Sequence, residues 1–202
     1  MKTVLITGGT RRVGKVIADE LRKGGWRVIV SSHRTDAGAD IVADLSGPDG
    51  AVKLYSEVLR LLNSEPPDAL VNNAALFLGD ENQLRTLDFE SPKKLTMLMA
   101  GRETGRGKVV NILDAAVTAE TAESAYERAK ADLADWTLKA AELFADTLTV
   151  NAVAPGPVLA PENIHLKAPP TSCGRPTPQD VAEATAFLLG SNRINGSILK
   201  VE

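Results

Sequence analysis

Seven short runs rich in valine, isoleucine and leucine, separated by turns and longer amphipathic stretches, constrain this chain more than any other feature. The runs are Val4–Thr7, Arg27–Ser31, Asp40–Ala43, Ala69–Asn72, Lys108–Ile112, Thr147–Val153 and Ser197–Val201. They barely alternate between apolar and polar residues, as strands covered on both faces do. Between them lie helical patterns at Val13–Gly24, Ala51–Leu62, Ala122–Ala145 and Asp180–Leu189, the last following Pro178. In the first, Val13, Val16, Ile17 and Leu21 fall on one stripe, with glycines at its end. The alternation predicts a parallel sheet with helices on both faces.

Composition narrows the function classes. A chain of 202 residues fits one domain of ordinary size, and 44% hydrophobic residues are enough for a real core. A net charge of −3, with basic residues scattered rather than striped, argues against a nucleic-acid partner. The single cysteine, Cys173, excludes an internal disulfide and suits a reducing compartment. The apolar start Val4-Leu5-Ile6 is too short for a secretory segment and runs into glycines, so it reads as a strand. No stretch has the length of a membrane span, and the expected location is the cytoplasm. The proline-rich stretch Pro155–Pro178 reads as a long loop within the domain.

Three places carry chemistry. The first strand runs into Thr7-Gly8-Gly9-Thr10-Arg11-Arg12-Val13-Gly14 before a helix. Such a turn lets backbone N–H groups approach a pyrophosphate, whose charge the helix dipole favours. A plain strand–helix turn also favours glycine, so the loop alone is not specific. The second strand ends in Ser31-Ser32-His33-Arg34-Thr35, where a doubly wound sheet meets the adenosine ribose. An acidic residue there selects the 2′-hydroxyl of NAD. His33, Arg34 and Thr35, with Arg11 and Arg12 nearby, suit a 2′-phosphate instead. Finally, Tyr126 and Lys130 stand four apart on the longest helix and share a face. An ammonium beside a phenol lowers its pKa, which would let it exchange a proton near neutral pH. The same pair also occurs as an ordinary packing pair on amphipathic helices.

Taken in order, these pieces resemble the short-chain dehydrogenase/reductase family over essentially the whole chain. The resemblance rests on the loop at 7–14, Asp44-Leu45, Asn72-Asn73-Ala74, Tyr126 with Lys130, Pro155-Gly156-Pro157-Val158 and Ile194-Asn195-Gly196. It implies one Rossmann-type doubly wound domain over residues 1–202, with a seven-stranded, mostly parallel sheet in the order 3-2-1-4-5-6-7. It implies an NADP(H) site made by Gly8, Thr10, Arg11, Arg12, Val13, His33, Arg34, Thr35, Asp44, Leu45, Asn73, Ala74, Ala75, Tyr126, Lys130, Pro155, Gly156 and Val158. Asp44 would meet the adenine, Asn73 would steady the sheet beside the cofactor, and Pro155 and Gly156 would border the nicotinamide.

Where the chain departs from the family it looks like the pteridine reductase branch. Arg12 stands where the family usually has a second glycine, and Asp114 where it has a catalytic serine. Asp88, four residues before Pro92, falls where the family's proton relay has an asparagine, and the pteridine resemblance offers no precedent for it. Phe77 takes the place of an aromatic that stacks a pterin against the nicotinamide. A lone Phe more often packs in a core, and Asp114 or Asp88 could equally be turn residues. The Ser32–Gly38 connection is too brief for a crossover helix, and the segment from Phe77 to Lys108 is clipped.

The expected function is NADPH-dependent reduction of a C=O or C=N bond in a small molecule. Asp114, Tyr126 and Lys130 are the catalytic set, Phe77 joins Asp114 and Tyr126 at the substrate, and no metal is involved. A general carbonyl reductase and a dinucleotide-binding sensor or assembly protein without catalysis remain alternatives. A homo-oligomer, dimer or tetramer, is expected to form on one face of the long helix, with Leu133, Trp136, Leu138 and Leu143.

Overall fold

The computed structural model describes residues 1–35, 38–103, 105–117, 120, 122–159 and 175–202. Seven strands form one sheet in the order β3-β2-β1-β4-β5-β6-β7: β1 (Thr3–Thr7), β2 (Arg27–Ser32), β3 (Ile41–Val42), β4 (Ala69–Asn72), β5 (Gly107–Ile112), β6 (Leu148–Pro155) and β7 (Ile198–Val201). Every pairing is parallel, so the expected order holds and "mostly parallel" becomes fully parallel among the described residues. The helices are α1 (Arg12–Lys23), α2 (Gly50–Leu61), α3 (Glu81–Arg85), α4 (Ser91–Ala100), α5 (Ala125–Leu143) and α6 (Pro178–Gly190).

The sheet divides its side chains by the two-residue period of a strand. Val4 and Ile6 of β1 pack with Ala69 and Val71 of β4 under Ile17 and Leu21 of α1 and Val181 and Leu188 of α6. Leu5 and Leu70 point the other way, onto Leu54 and Val58 of α2, Leu95 and Met99 of α4 and Ala140 of α5. Both faces are therefore dry, which is why the strands do not alternate in polarity.

Three differences from the sequence reading have physical causes. First, β3 is only two residues long, because Asp40 leaves the ladder: its carboxylate accepts the Val30 N–H at 2.8 Å, and its own N–H donates to Val30 O at 3.0 Å. The described part of the β2–β3 connection contains no helix, while Asp36 and Ala37 lie outside the described residues. Second, α5 starts at Ala125 rather than Ala122. Ser124 caps it, accepting the Glu127 N–H, while Glu127 accepts the Ser124 N–H in return. Third, the segment read as merely clipped folds into α3, a π-helical turn at Thr86–Glu90, and α4. Pro92 explains the π turn. It has no N–H to give to the carbonyl of Asp88 four residues back, and its ring would press on that carbonyl, so the turn widens. Most of the Pro155–Pro178 loop, with Cys173, lies outside the described residues.

Candidate active site

Thr7, Asn73 and the glycine loop are tied into one unit at the carboxyl end of the central strands. The Thr7 hydroxyl accepts the N–H groups of Asn73 and Ala74, both at 3.0 Å. Asn73 Nδ2 in turn donates to Thr7 O at 2.9 Å and Gly8 O at 3.1 Å. This clamp brings the backbones so close that a Cβ at Gly14 would sit 2.3 Å from Gly8 O and 2.5 Å from Asn73 Nδ2. Gly8 itself has φ +65 with Ala74 packed against it. The sequence reading placed Asn73 and Gly8 here but gave no role to Thr7 or Gly14. Their signal was only their place in the loop.

The start of α1 faces this unit without a side-chain cap, whereas α5 and α6 each carry a full capping box. A helix start without a capping side chain suits an anionic ligand, which is the chemistry of a phosphate cradle. Arg11 and Arg12 are exposed at that end, with Thr10 and Val13 half-buried beside them. Arg12 has φ 52, a left-handed backbone at the loop position where a second glycine was expected from the resemblance. At the end of β2, Ser32 is buried and its hydroxyl accepts the Arg34 N–H at 3.1 Å, so His33, Arg34 and Thr35 project as an exposed turn. Asp44 is exposed, and the Ser46 hydroxyl and N–H hold its carboxyl below the ordinary range. Leu45 is buried, its carbonyl accepting the Ser91 hydroxyl. Ala75 is exposed just past the clamp. Pro155 ends β6, where its carbonyl accepts the Ala115 N–H; Gly156 donates to Val201 O, and Val158 packs on the α1 face of the sheet. A concavity of about 400 Å³ at the β3 edge includes Asp44 in its lining but none of Tyr126, Lys130 or Asp114.

The remaining groups converge beside the ends of β4 and β5. The Tyr126 hydroxyl donates to Asp114 Oδ2 at 3.1 Å. The other Asp114 oxygen accepts the Ala116 N–H at 3.0 Å, so this residue both makes the turn after β5 and holds the phenol. Phe77, 43% exposed, meets the Tyr126 ring edge-on with centroids 5.0 Å apart; it belongs to this cluster and not to the core. Lys130 is buried, donating to Ile112 O at 3.1 Å, with its ammonium 5.8 Å from the Tyr126 ring centre. Asp88, fully buried on the π turn, accepts the Leu76 N–H at 3.3 Å and places Oδ1 3.4 Å from Lys130 Nζ.

The electrostatics of the phenol reverse the expectation drawn from Lys130. The Tyr126 pKa is raised, first by burial and then by the negative charges of Asp114 and Asp88. Tyr126 therefore stands as a phenol that donates. Burial likewise pushes the Asp88 carboxyl up, and the Lys130 ammonium pulls it back. Sequence reasoning also missed the support beneath the site. Asn72 Nδ2 donates to Asn111 Oδ1 at 2.8 Å, Asn111 Nδ2 donates to Thr137 Oγ1 at 2.9 Å, and Thr137 donates to Leu133 O at 2.8 Å. Polar residues inside dry strands were the available signal.

Comparison with known proteins identifies the family of the chain. Residues 2–169 match the family model described as short chain dehydrogenase. The uncharacterised oxidoreductase YmfI of Bacillus subtilis (strain 168) is 31% identical over 239 positions, covering 99% of this chain and 97% of that protein. The 3-oxoacyl-(acyl-carrier-protein) reductase FabG of Aquifex aeolicus (strain VF5) is 29% identical over 239 positions, covering 99% and 95%. These alignments exceed the 202 residues of this chain, so the chain carries deletions relative to both. Among solved structures, the FolM alternative dihydrofolate reductase 1 of Brucella canis, complexed with NADP, is similar with a TM-score of 0.82 and 26% identity, covering 100% of this chain and 92% of that one.

Proposed function

Because the chain belongs to the short-chain dehydrogenase/reductase family of oxidoreductases, we propose that it is an NADPH-dependent reductase of a small C=O or C=N compound, with a pterin-like ring as the favoured substrate. The observation that carries this is the triad of Phe77, Tyr126 and Asp114, an aromatic face beside a phenol that a carboxylate keeps in its donor form. The glycine loop, held tight by the close approach of Gly14 to Gly8 O and by the positive φ of Gly8, leads into an α1 terminus with no side-chain cap, an arrangement that suits a pyrophosphate. Arg34, His33 and Ser32, with Arg11 and Arg12, supply donors for a 2′-phosphate, and no carboxylate occupies the turn at 32–35. Thr10, Val13, Asp44, Leu45, Ala74, Ala75, Pro155, Gly156 and Val158 complete the assigned dinucleotide path. NADPH supplies the hydride when bound.

The chain's own residues do the rest. Phe77 holds a planar ring against the Tyr126 side of the site. Tyr126 gives its proton to the substrate oxygen or nitrogen as the hydride adds to carbon, so C=X becomes CH–XH. The phenolate so formed is reprotonated by a proton from solvent, which Asp114, 3.1 Å away, can take up and pass on. Lys130 offsets the transient negative charge. Steady-state NADPH oxidation against pterins, quinonoid dihydropterins and simple ketones tests the reading. Turnover of a pterin that Tyr126→Phe abolishes is expected. A folded Tyr126→Phe protein as active as the parent refutes it, and turnover of ketones alone makes the chain a general carbonyl reductase.

A further inference from the structure

The proton path just described makes no use of Asp88, although it is the most deeply buried carboxylate beside the site. Its backbone sits on the widened turn before Pro92, which aims it inward. One oxygen accepts the Leu76 N–H; the other has no hydrogen-bond partner among the described residues and lies 3.4 Å from the Lys130 ammonium. Charged neighbours on the flanking elements turn outward instead. Arg85 pairs with Glu90 and Asp132, Arg128 pairs with Glu81, and Lys93 lies over the Phe89 and Trp136 rings. Glu127 is bound to Ser124 in the capping box. Among the described residues, the charged groups nearest the phenol are therefore Asp88, Asp114 and Lys130, with Glu127 adding a smaller negative field.

Counting them decides what the phenol can do. With Tyr126 neutral and both carboxylates ionised, the cluster carries one ammonium against two carboxylates. Ionising the phenol adds a further negative charge to a largely buried group. An amide at position 88 would leave one ammonium against one carboxylate, and the ammonium's field would then reach the phenol unopposed by its nearest neighbour. Loss of a nearby like charge favours the phenolate.

We propose that Asp88 is a positioning residue that keeps the site's proton donor loaded: its buried carboxylate engages Lys130 as counter-ion and thereby keeps Tyr126 a phenol, the form that the reductive step consumes. The reductive half of this rests on the reductase reading above; the charge arrangement does not. Asp88 acts on Tyr126 through its charge and through the field it shares with Lys130.

The chain has two tyrosines, Tyr55 and Tyr126, so the phenol can be followed directly. Biosynthetic incorporation of fluorotyrosine, whose phenol is more acidic, brings the titration into the range where the protein stays folded. Fluorine NMR then gives two resonances, which Tyr55→Phe assigns. In that background, Asp88→Asn is expected to lower the Tyr126 midpoint by about 1–2 pH units; an unmoved midpoint overturns the proposal. Because Asp88→Asn leaves Lys130 buried without its counter-ion, the double variant Asp88→Asn/Lys130→Met serves if the single one does not fold. Its midpoint stays within about half a unit of the parent if the two charges cancel at the phenol, and a climb beyond a unit overturns the proposal. On whichever compound of the panel turns over, Asp88→Asn is expected to bring the alkaline fall of the reductive kcat to lower pH by the same margin as the titration shift. An unchanged profile overturns the reductive half. A protein that reduces nothing in the panel yet shows the titration shift refutes the reductase reading and supports the charge arrangement.

Discussion

Arg12 holds a left-handed backbone, which costs an L residue about 1–2 kcal/mol, whereas glycine there costs about 0.5–1 kcal/mol in unfolded-state entropy. Arg12→Gly is therefore expected to stabilise the fold by up to about 1 kcal/mol in urea unfolding, while NADPH affinity, followed by fluorescence titration, falls. Strain of this kind that persists at a ligand cradle points to a use for the side chain. Arg34→Ala is expected to remove about 1.5–3 kcal/mol of NADPH binding and leave NADH binding almost untouched, because only the 2′-phosphate distinguishes the two; an undiminished preference refutes the assignment. At Asp114 the sign of the electrostatics matters. Its charge raises the Tyr126 pKa, so the phenol stays protonated through the pH range where a free tyrosine, near 10, would ionise. The reductive kcat is accordingly expected not to fall with a midpoint near that value. Asp114→Ala should lower pterin turnover by about 10²–10⁴-fold, since it removes both the proton's return path and the hold on the phenol. A plain carbonyl reductase that relies on Tyr126 alone would lose much less.

Among the elements, β4, β5 and α5 are locked by side chains rather than by apolar packing alone. Asn72, Asn111 and Thr137 are all nearly or fully buried and bond in series beneath the site. Asn111→Ala leaves the Asn72 amide only its long bond to Pro92 O at 3.5 Å and opens a gap against Thr137. Each buried unpaired group costs about 1–3 kcal/mol, so a loss of about 2–4 kcal/mol in urea unfolding is expected. A loss below about 1 kcal/mol would mean that water replaces the bridge. Parts of this architecture were open to sequence reading. The periodicity of Ile17 and Leu21 in α1, and the apolar run of β1, place those elements within a residue or so of where they lie. The α3–α4 segment was not, because Pro92 widens one turn and shifts the helical phase between Leu84 and Leu95, so no single 3.6-residue stripe runs through it.

On the scale of the whole molecule, α5 bears on assembly. The sequence reading gave it one apolar face of Leu133, Trp136, Leu138 and Leu143. The structure divides them: Leu133 is buried against the sheet and Trp136 is half-buried, while Leu138 is 48% and Leu143 67% exposed. The homo-oligomer we propose therefore uses Leu138 and Leu143 alone from that set. Light scattering is expected to show more than one chain per particle, and Leu138→Glu with Leu143→Glu to return it to a monomer; a parent that is monomeric at every concentration refutes the oligomer. Among the described residues no helix is long and apolar enough to cross a membrane.

The sequence by itself determined the alternation of strands and helices and hence a parallel sheet, because periodicity is local. The sheet order, the glycine cradle and the meeting of Asp114, Tyr126 and Phe77 were legible only through the resemblance of its spaced motifs to a family. Sequence spacing also put Tyr126 and Lys130 on one helix face, but it could not say which charge reaches which group. Only the tertiary structure decided that. Asp88 comes from a turn forty-two residues before Lys130 and meets it at 3.4 Å, and Asp114 takes the phenol's proton in a hydrogen bond. Electrostatic energy depends on distance and burial in space, neither of which a position in the chain contains, so the phenol that the sequence suggested was made acidic by its lysine is in the folded protein a phenol made less acidic by its aspartates.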